Sequence, residues 1–103
     1  MNFSNYTIKS QEVLQKASEM VVDYGQQVVK TSHILMAILN TNLDIFSFLA
    51  KKTGTDLTLV ENKLKNLVEE YPKVDGGQPY LSTEAHQALQ YAEKFAKKPG
   101  MII

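Results

Sequence analysis

Two histidines, one pair of adjacent glutamates and one glycine pair are the groups in this sequence with the clearest potential for chemistry. His33 opens an apolar segment and has no Cys, Asp or His at metal-ligand spacing, so it reads as a neutral, hydrogen-bonded residue tying a helix start to a loop. His86 has Glu84 and Glu93 near it in sequence, but neither shares its helix face at ligand spacing, and it reads as a solvated surface residue. Glu69 and Glu70 are neighbours, and neighbours on a helix point to different sides, which rules them out as a paired acid and base. Gly76-Gly77 lies in a turn-rich stretch, and no Gly-x-x-x-x-Gly-Lys-Ser/Thr pattern accompanies it. The serines and threonines fall at predicted helix caps, and no nucleophile, base and orienting group can be assembled from them. The reading is therefore of a protein that binds rather than catalyses, with no metal and no cofactor. The residues best suited to binding are Tyr91 and Phe95, one helical turn apart, which make an anchor for an apolar peptide.

Composition narrows what could be bound. The chain has 103 residues, no cysteine and zero formal charge. Every one of its 11 basic residues is lysine. Without arginine there is no bidentate fork for phosphate or guanine, which argues against nucleic acid. The longest apolar run, Ile34–Leu39, is far short of the roughly 20 residues that span a bilayer. Met1–Asn5 has neither the basic start nor the apolar core of a secretion signal, so a cytoplasmic protein without a membrane partner is expected.

The elements that would carry these residues are helices throughout. Thr7 can cap a helix over about 8–24, whose inner stripe is Leu14, Ala17, Val21 and Tyr24, widened by Val13 and Met20, with Gly25 as its stop. Thr31 or Ser32 caps the central segment, about 32–40. Its Ile34, Leu35, Met36, Ile38 and Leu39 predict a helix buried on nearly all sides. Asp44 caps a short helix carrying Ile45, Phe46, Phe48 and Leu49, closed by Lys51, Lys52 and Gly54. Thr55 or Asp56 caps a fourth, about 57–71, with Leu57, Val60, Leu64, Leu67, Val68 and Tyr71 inward and Pro72 as its stop. After a loop at 72–81, Ser82 caps a fifth, about 83–98, with Leu89, Ala92 and Ala96 inward, Lys94, Lys97 and Lys98 near its end, and Pro99-Gly100 closing it.

The fifth helix repeats the first. A shift of 75 residues carries Thr7 onto Ser82, Leu14 onto Leu89, Gln15 onto Gln90, Ala17 onto Ala92, Gly25 onto Gly100 and Val28 onto Ile103. Lys16 and Met20 become Tyr91 and Phe95, so the second copy is the more apolar on this face. By this spacing a second central helix would begin near position 106. The expected architecture is an all-α, pseudo-twofold bundle in one domain, 1–103. Repeat 1 covers about 1–71, a linker about 72–81, and an incomplete repeat 2 about 82–103. A half-finished repeat is expected to leave apolar surface uncovered, so that the chain dimerises, swaps elements or is marginally stable.

These pieces carry a family resemblance. Tyr6–Glu12, Gly25-Gln26-Gln27 and Thr31–Leu39 resemble the first Clp repeat of the N-terminal domain of Clp-type AAA+ chaperones. Tyr71–Gly77 and Leu81–Ala92 resemble the linker and the start of the second repeat. Within the family the sequence is most similar to the ClpB disaggregases. The resemblance implies a mobile domain ahead of a hexameric ATPase ring. Such a domain takes up exposed hydrophobic segments of unfolded or aggregated protein, or docks an adaptor as in the ClpC- and ClpA-like protease unfoldases. It implies no catalysis by this stretch, since the nucleotide motifs belong to the ring. It also implies substrate contacts at Tyr91 and Phe95, and a polar one at Thr7. Some relatives carry a phosphoarginine-recognising glutamate where this sequence has Ser32, which lacks the charge for that role.

Overall fold

A computed structural model of the chain describes residues 3–41 and 43–96. Five helices account for most of it: α1 (Ile8–Asp23), α2 (Thr31–Thr41), α3 (Leu43–Thr53), α4 (Leu57–Glu69) and α5 (Thr83–Ala96). Two short strands, β1 (Val28–Val29) and β2 (Tyr80–Leu81), pair in parallel, with Val28 opposite Tyr80 and Val29 opposite Leu81. The all-α reading holds, and the strand pair is an addition to it. β1 leads directly into α2 and β2 into α5, so one small ladder sets the starting points of both helices. The expectations for Lys97, Lys98, Pro99-Gly100 and Ile103 lie outside the described residues.

The core forms where α1 crosses α2. Val13, Ala17 and Val21 of α1 meet Ala37 of α2 and Val29 of β1, with Met20, Ile34, Ile38 and Leu81 packed around them. Alanine at both Ala17 and Ala37, each fully buried, lets the helices approach closely. The α1 cap is as expected: Thr7 Oγ1 accepts from the Ser10 backbone N–H at 3.1 Å. Gly25 ends the helix in the left-handed region, φ 71°, which an L side chain resists. α4 begins on Asp56, whose carboxylate accepts from Leu59 N at 3.3 Å. Ser82 caps α5 by accepting from Ala85 N at 3.0 Å.

Four expectations need correction. α2 is not capped by Thr31 or Ser32. Lys30 precedes its first turn, its carbonyl accepts from the His33 and Ile34 N–H groups, and its own N–H is held by the His33 ring. Nor is α2 buried all round: Ile34, Leu35, Met36 and Ile38 are half-buried, Ile34 and Ile38 because α5 leaves a cleft over them. Asp44 sits inside the first turn of α3, one residue past its start, and is not the cap. α4 stops at Glu69, before Tyr71, and only Val68 of its stripe is fully buried; Leu67 faces solvent because α4 packs along one edge only.

Residues 72–81 run alongside the α1–β1 connection. The Val74, Tyr80 and Ser82 N–H groups donate to the carbonyls of Gly25, Gln27 and Val29, and Lys73 Nζ donates to the Tyr24 carbonyl at 2.7 Å. This lacing delivers α5 to its place against α2.

Candidate functional site

An apolar cleft of about 280 Å³ lies between α1, α2 and α5. Its walls include Val13 and Leu14 from α1, Ile34 and Ile38 from α2, and Leu89 and Ala92 from α5. Tyr6, Lys9 and Ser10 supply its polar edge. The half-burial of α2 and the opening of the cleft are the same fact: the flank of α2 that α5 does not cover is the cleft's floor.

Tyr91 and Phe95 sit on α5 but do not line this cleft. At about 100° per residue they fall on the flank of α5 beside the Ala85–Leu89–Ala92 stripe, one turn apart. They are 64% and 52% exposed. The Lys94 ammonium lies 5.6 Å from the Tyr91 ring centre, within cation–π range. The exposed part of each ring costs hydrophobic free energy that burial would recover, about 25 cal/mol per Å². A ligand that covers them recovers it.

Thr7 is half-buried at the head of α1, next in sequence to Tyr6 at the cleft edge. Its hydroxyl is largely engaged: it accepts from Ser10 N and donates to Ser10 Oγ at 3.0 Å. The three expected contact residues therefore do not form one pocket. Thr7 stands at one end of the cleft, and the aromatic pair stands on its α5 flank.

Between them runs a strut that the sequence reading missed. Tyr6 is buried, and its hydroxyl donates to Glu93 Oε1 on α5 at 2.7 Å. Burial first, then the adjacent Glu93 carboxylate, push the Tyr6 phenol up to about 12, since both disfavour a phenolate. No sequence signal joins positions 87 residues apart, although a tyrosine just ahead of a cap is a common packing residue. Phe3 stacks at a tilt on Tyr6, 5.2 Å between centres.

His33 behaves as its position suggests. It is fully buried, and its Nδ1 accepts the Lys30 N–H at 2.9 Å. That fixes the proton on Nε2, which donates to Gln26 Oε1 at 2.9 Å, and Gln26 Nε2 in turn donates to the Val68 carbonyl at 2.7 Å. One ring thus closes the N-terminus of α2, the end of the α1–β1 connection and the last turn of α4. Its reach back from the third helical position is the role a Glu or Gln plays in a capping box. Burial, and secondarily the Lys30 charge, lower the His33 pKa and keep the ring neutral. Ser32 is buried and shares a 2.7 Å hydrogen bond with the Tyr71 hydroxyl, and the Lys30 ammonium lies 4.2 Å over the Tyr71 ring. This cluster is structural. His86 is exposed.

Comparison with known proteins gives this arrangement a context. A family model described as the Clp repeat (R) N-terminal domain matches residues 5–101. The chain is 42% identical over 98 residues to chaperone protein ClpB of Porphyromonas gingivalis, covering 95% of this chain and 11% of that protein. It is 39% identical over 100 residues to ClpB of Bacteroides thetaiotaomicron, covering 97% and 12%. The chain thus spans a small fraction of the length of these curated relatives. Among solved structures, the N-terminal domain (1–163) of the ClpV1 ATPase from the E. coli EAEC Sci1 T6SS matches with a TM-score of 0.77 over 88% of this chain and 56% of that one. At 16% identity that likeness speaks for the fold alone.

Proposed function

This chain belongs to the Clp repeat (R) N-terminal domain family, and from that premise we propose that it is a non-catalytic binding domain that captures exposed hydrophobic segments of unfolded or aggregated proteins for a cytoplasmic, ClpB-like disaggregase ring. The observation that carries the reading is the exposure of Tyr91 and Phe95, one turn apart, on the flank of α5 beside an open apolar cleft. A non-polar client segment would cover the two rings and extend into the cleft over Leu89 and Ala92. Thr7 serves at the far end, as a polar contact through an oxygen that already caps α1. Its contribution is smaller than that of the rings because its hydrogen-bonding capacity is largely used.

The test is capture of a chemically denatured model protein by the wild type and by the Tyr91→Ser/Phe95→Ser double variant. Loss of two aromatic anchors is expected to weaken capture by at least about tenfold. The melting temperature should hold, because neither ring is part of the core. Undiminished capture by the folded double variant removes the site. Retention of a folded adaptor in place of denatured chains transfers the surface to adaptor docking.

A further inference from the structure

α3 carries a second uncovered apolar stripe, on a different part of the molecule. Ile45, Phe48 and Leu49 recur at the three- and four-residue spacing of one helix face, and they are 59%, 59% and 47% exposed. Scattered exposed apolar residues are ordinary on protein surfaces; three on one face of an 11-residue helix are a patch. The rest of α3 is engaged, with Phe46, Ser47 and Ala50 half-buried on the side where it packs against α2 and α4. The charges of α3 are divided by its ends: Asp44 in the first turn, Lys51 and Lys52 in the last. All three are exposed. Phe48 is the midpoint of Leu43–Thr53.

We infer that this stripe is a self-association surface, on which α3 of a second copy of this chain lies antiparallel across a twofold axis through Phe48. The twofold places Phe48 on Phe48 of the second copy, with Ile45 and Leu49 closing around the pair, once the Lys52 ammonium, 5.5 Å from the Phe48 ring centre, swings off that ring. It also carries Asp44 onto Lys52 of the second copy, and does so twice, because the interface is isologous. The helix dipoles then oppose, which is the favourable arrangement. A parallel pairing would set Asp44 beside Asp44 and lysines beside lysines. A generic apolar client would satisfy the stripe but would have no use for opposite charges spaced evenly about its centre. Two helices about 16 Å long bury far less than a standard interface, so the association is weak, with a dissociation constant on the order of 0.1–1 mM. This surface is separate from α5 and stands whether or not Tyr91 and Phe95 bind clients.

Sedimentation equilibrium of the full chain up to about 1 mM at low ionic strength tests the inference, with circular dichroism melts confirming that each variant folds. The wild type is expected to dimerise weakly and less so as salt rises. Phe48→Glu is expected to abolish the dimer. Asp44→Lys alone and Lys52→Asp alone each set like charges face to face at both ends, weakening association on the order of tenfold. The decisive arm mixes these two single variants in equal amounts. The introduced lysine of the first then faces the introduced aspartate of the second at one end, while native Lys52 and Asp44 face each other at the other. Heterodimers should form at near wild-type strength. A wild type monomeric throughout the range, a dimer indifferent to Phe48→Glu, or a mixture as weak as its components overturns the inference. So does a monomeric wild type whose capture of denatured protein is lost on Phe48→Glu, which would assign the stripe to clients.

Discussion

α1 and α5 begin 75 residues apart, each on a hydroxyl that accepts from the backbone three residues on, yet they end in different surroundings. α1 buries Val13, Leu14, Ala17 and Val21. At the corresponding places of α5, Ala88 is exposed and Leu89 and Ala92 are half-buried, and among the described side chains of that helix Ala85 alone is fully buried. Local rules start both helices in the same way; what lies across from them decides whether they become core. α1 packs extensively on α2, whereas α5 touches α2 over a smaller area and is otherwise tied in by a two-residue strand, the Ser82 cap and the Tyr6–Glu93 strut. An exposed apolar flank forgoes burial, and that cost in stability falls on α5. The α1–α2–α4 part is therefore expected to set global stability, and α5 to open at lower free energy.

The largest expected effect falls on the stable side of that divide. His33→Ala would leave the Lys30 N–H and Gln26 Oε1 unpaired in a buried site and open a cavity, for a loss of about 3–5 kcal/mol. A domain of this size has about 5–15 kcal/mol in all, so chemical denaturation should show a large fall in midpoint. His33→Gln, which keeps an acceptor and bulk, should recover part of it. The same ring gives a pH dependence. Its folded pKa is lowered, so the unfolded chain takes up the proton first. The stabilisation is complete above the ordinary value of 6.5 and is lost as pH falls from there through the lower folded value. Protonation would also turn Nδ1 from acceptor to donor against the Lys30 N–H. Stability measured between about pH 7 and 5 should fall in the wild type and flatten in His33→Gln; equal slopes would detach the ring from acid sensitivity.

The histidine also marks what the sequence could convey. Its neighbours Ile34–Leu39, and the absence of ligand partners, were enough to predict a neutral structural ring, but not that the ring would hold the N–H of Lys30, the residue that precedes the helix in place of a Thr31 or Ser32 cap. Caps followed by apolar stripes made α1, α4 and the start of α5 legible to within about two residues, as local signals do. The β1–β2 pair was not legible, because two residues carry no periodicity and a parallel partner 52 positions away leaves no local trace. The cleft was invisible for the same reason: Ile34 and Ile38 read as core from their type, and only the placement of α5 leaves them half-covered. Tyr91 and Phe95 were legible as a pair because a four-residue spacing is a local property. Their separation from Thr7 is a tertiary one.

The lacing between the two regions offers the next test. Gly77 has φ 93°, and a Cβ there would overlap the Gln27 side chain, whose Nε2 donates to the Gln78 carbonyl at 3.3 Å. Gly77→Ala should therefore cost about 1–2 kcal/mol, mostly from backbone strain, since the flexible Gln27 amide can swing aside. Hydrogen exchange should locate that loss along β2 and α5 more than along α1. Tyr6→Phe removes the hydroxyl from a charged acceptor at the edge of the fold and is expected to cost about 1–2 kcal/mol. Because the raised Tyr6 pKa favours the neutral phenol in the folded state, the strut's contribution is full below the ordinary value of 10 and is lost as pH rises through about 12. Faster exchange in α5 with an unchanged α1 would be the signature of Tyr6→Phe at neutral pH; uniform acceleration would merge the two regions into one.

The smallest effect is the sharpest comparison, because it uses two nearly identical bonds. Thr7 Oγ1 and Ser82 Oγ hold the third N–H of their helices at 3.1 and 3.0 Å. Removing either, by Thr7→Ala or Ser82→Ala, should cost about 1 kcal/mol of local helix stability. In α1 that local cost is global, since α1 unfolds only with the core it forms, and the denaturation midpoint should fall accordingly. In α5 the same cost should shift the local opening equilibrium about fivefold, which hydrogen exchange of the first α5 turns reads directly. The midpoint should move little, because α5 is already detached by the time the core yields. Equal shifts in midpoint from the two alanines would show that α5 and α1 melt as one cooperative unit, and the uncovered flank of α5 would then have to be explained without a weaker attachment.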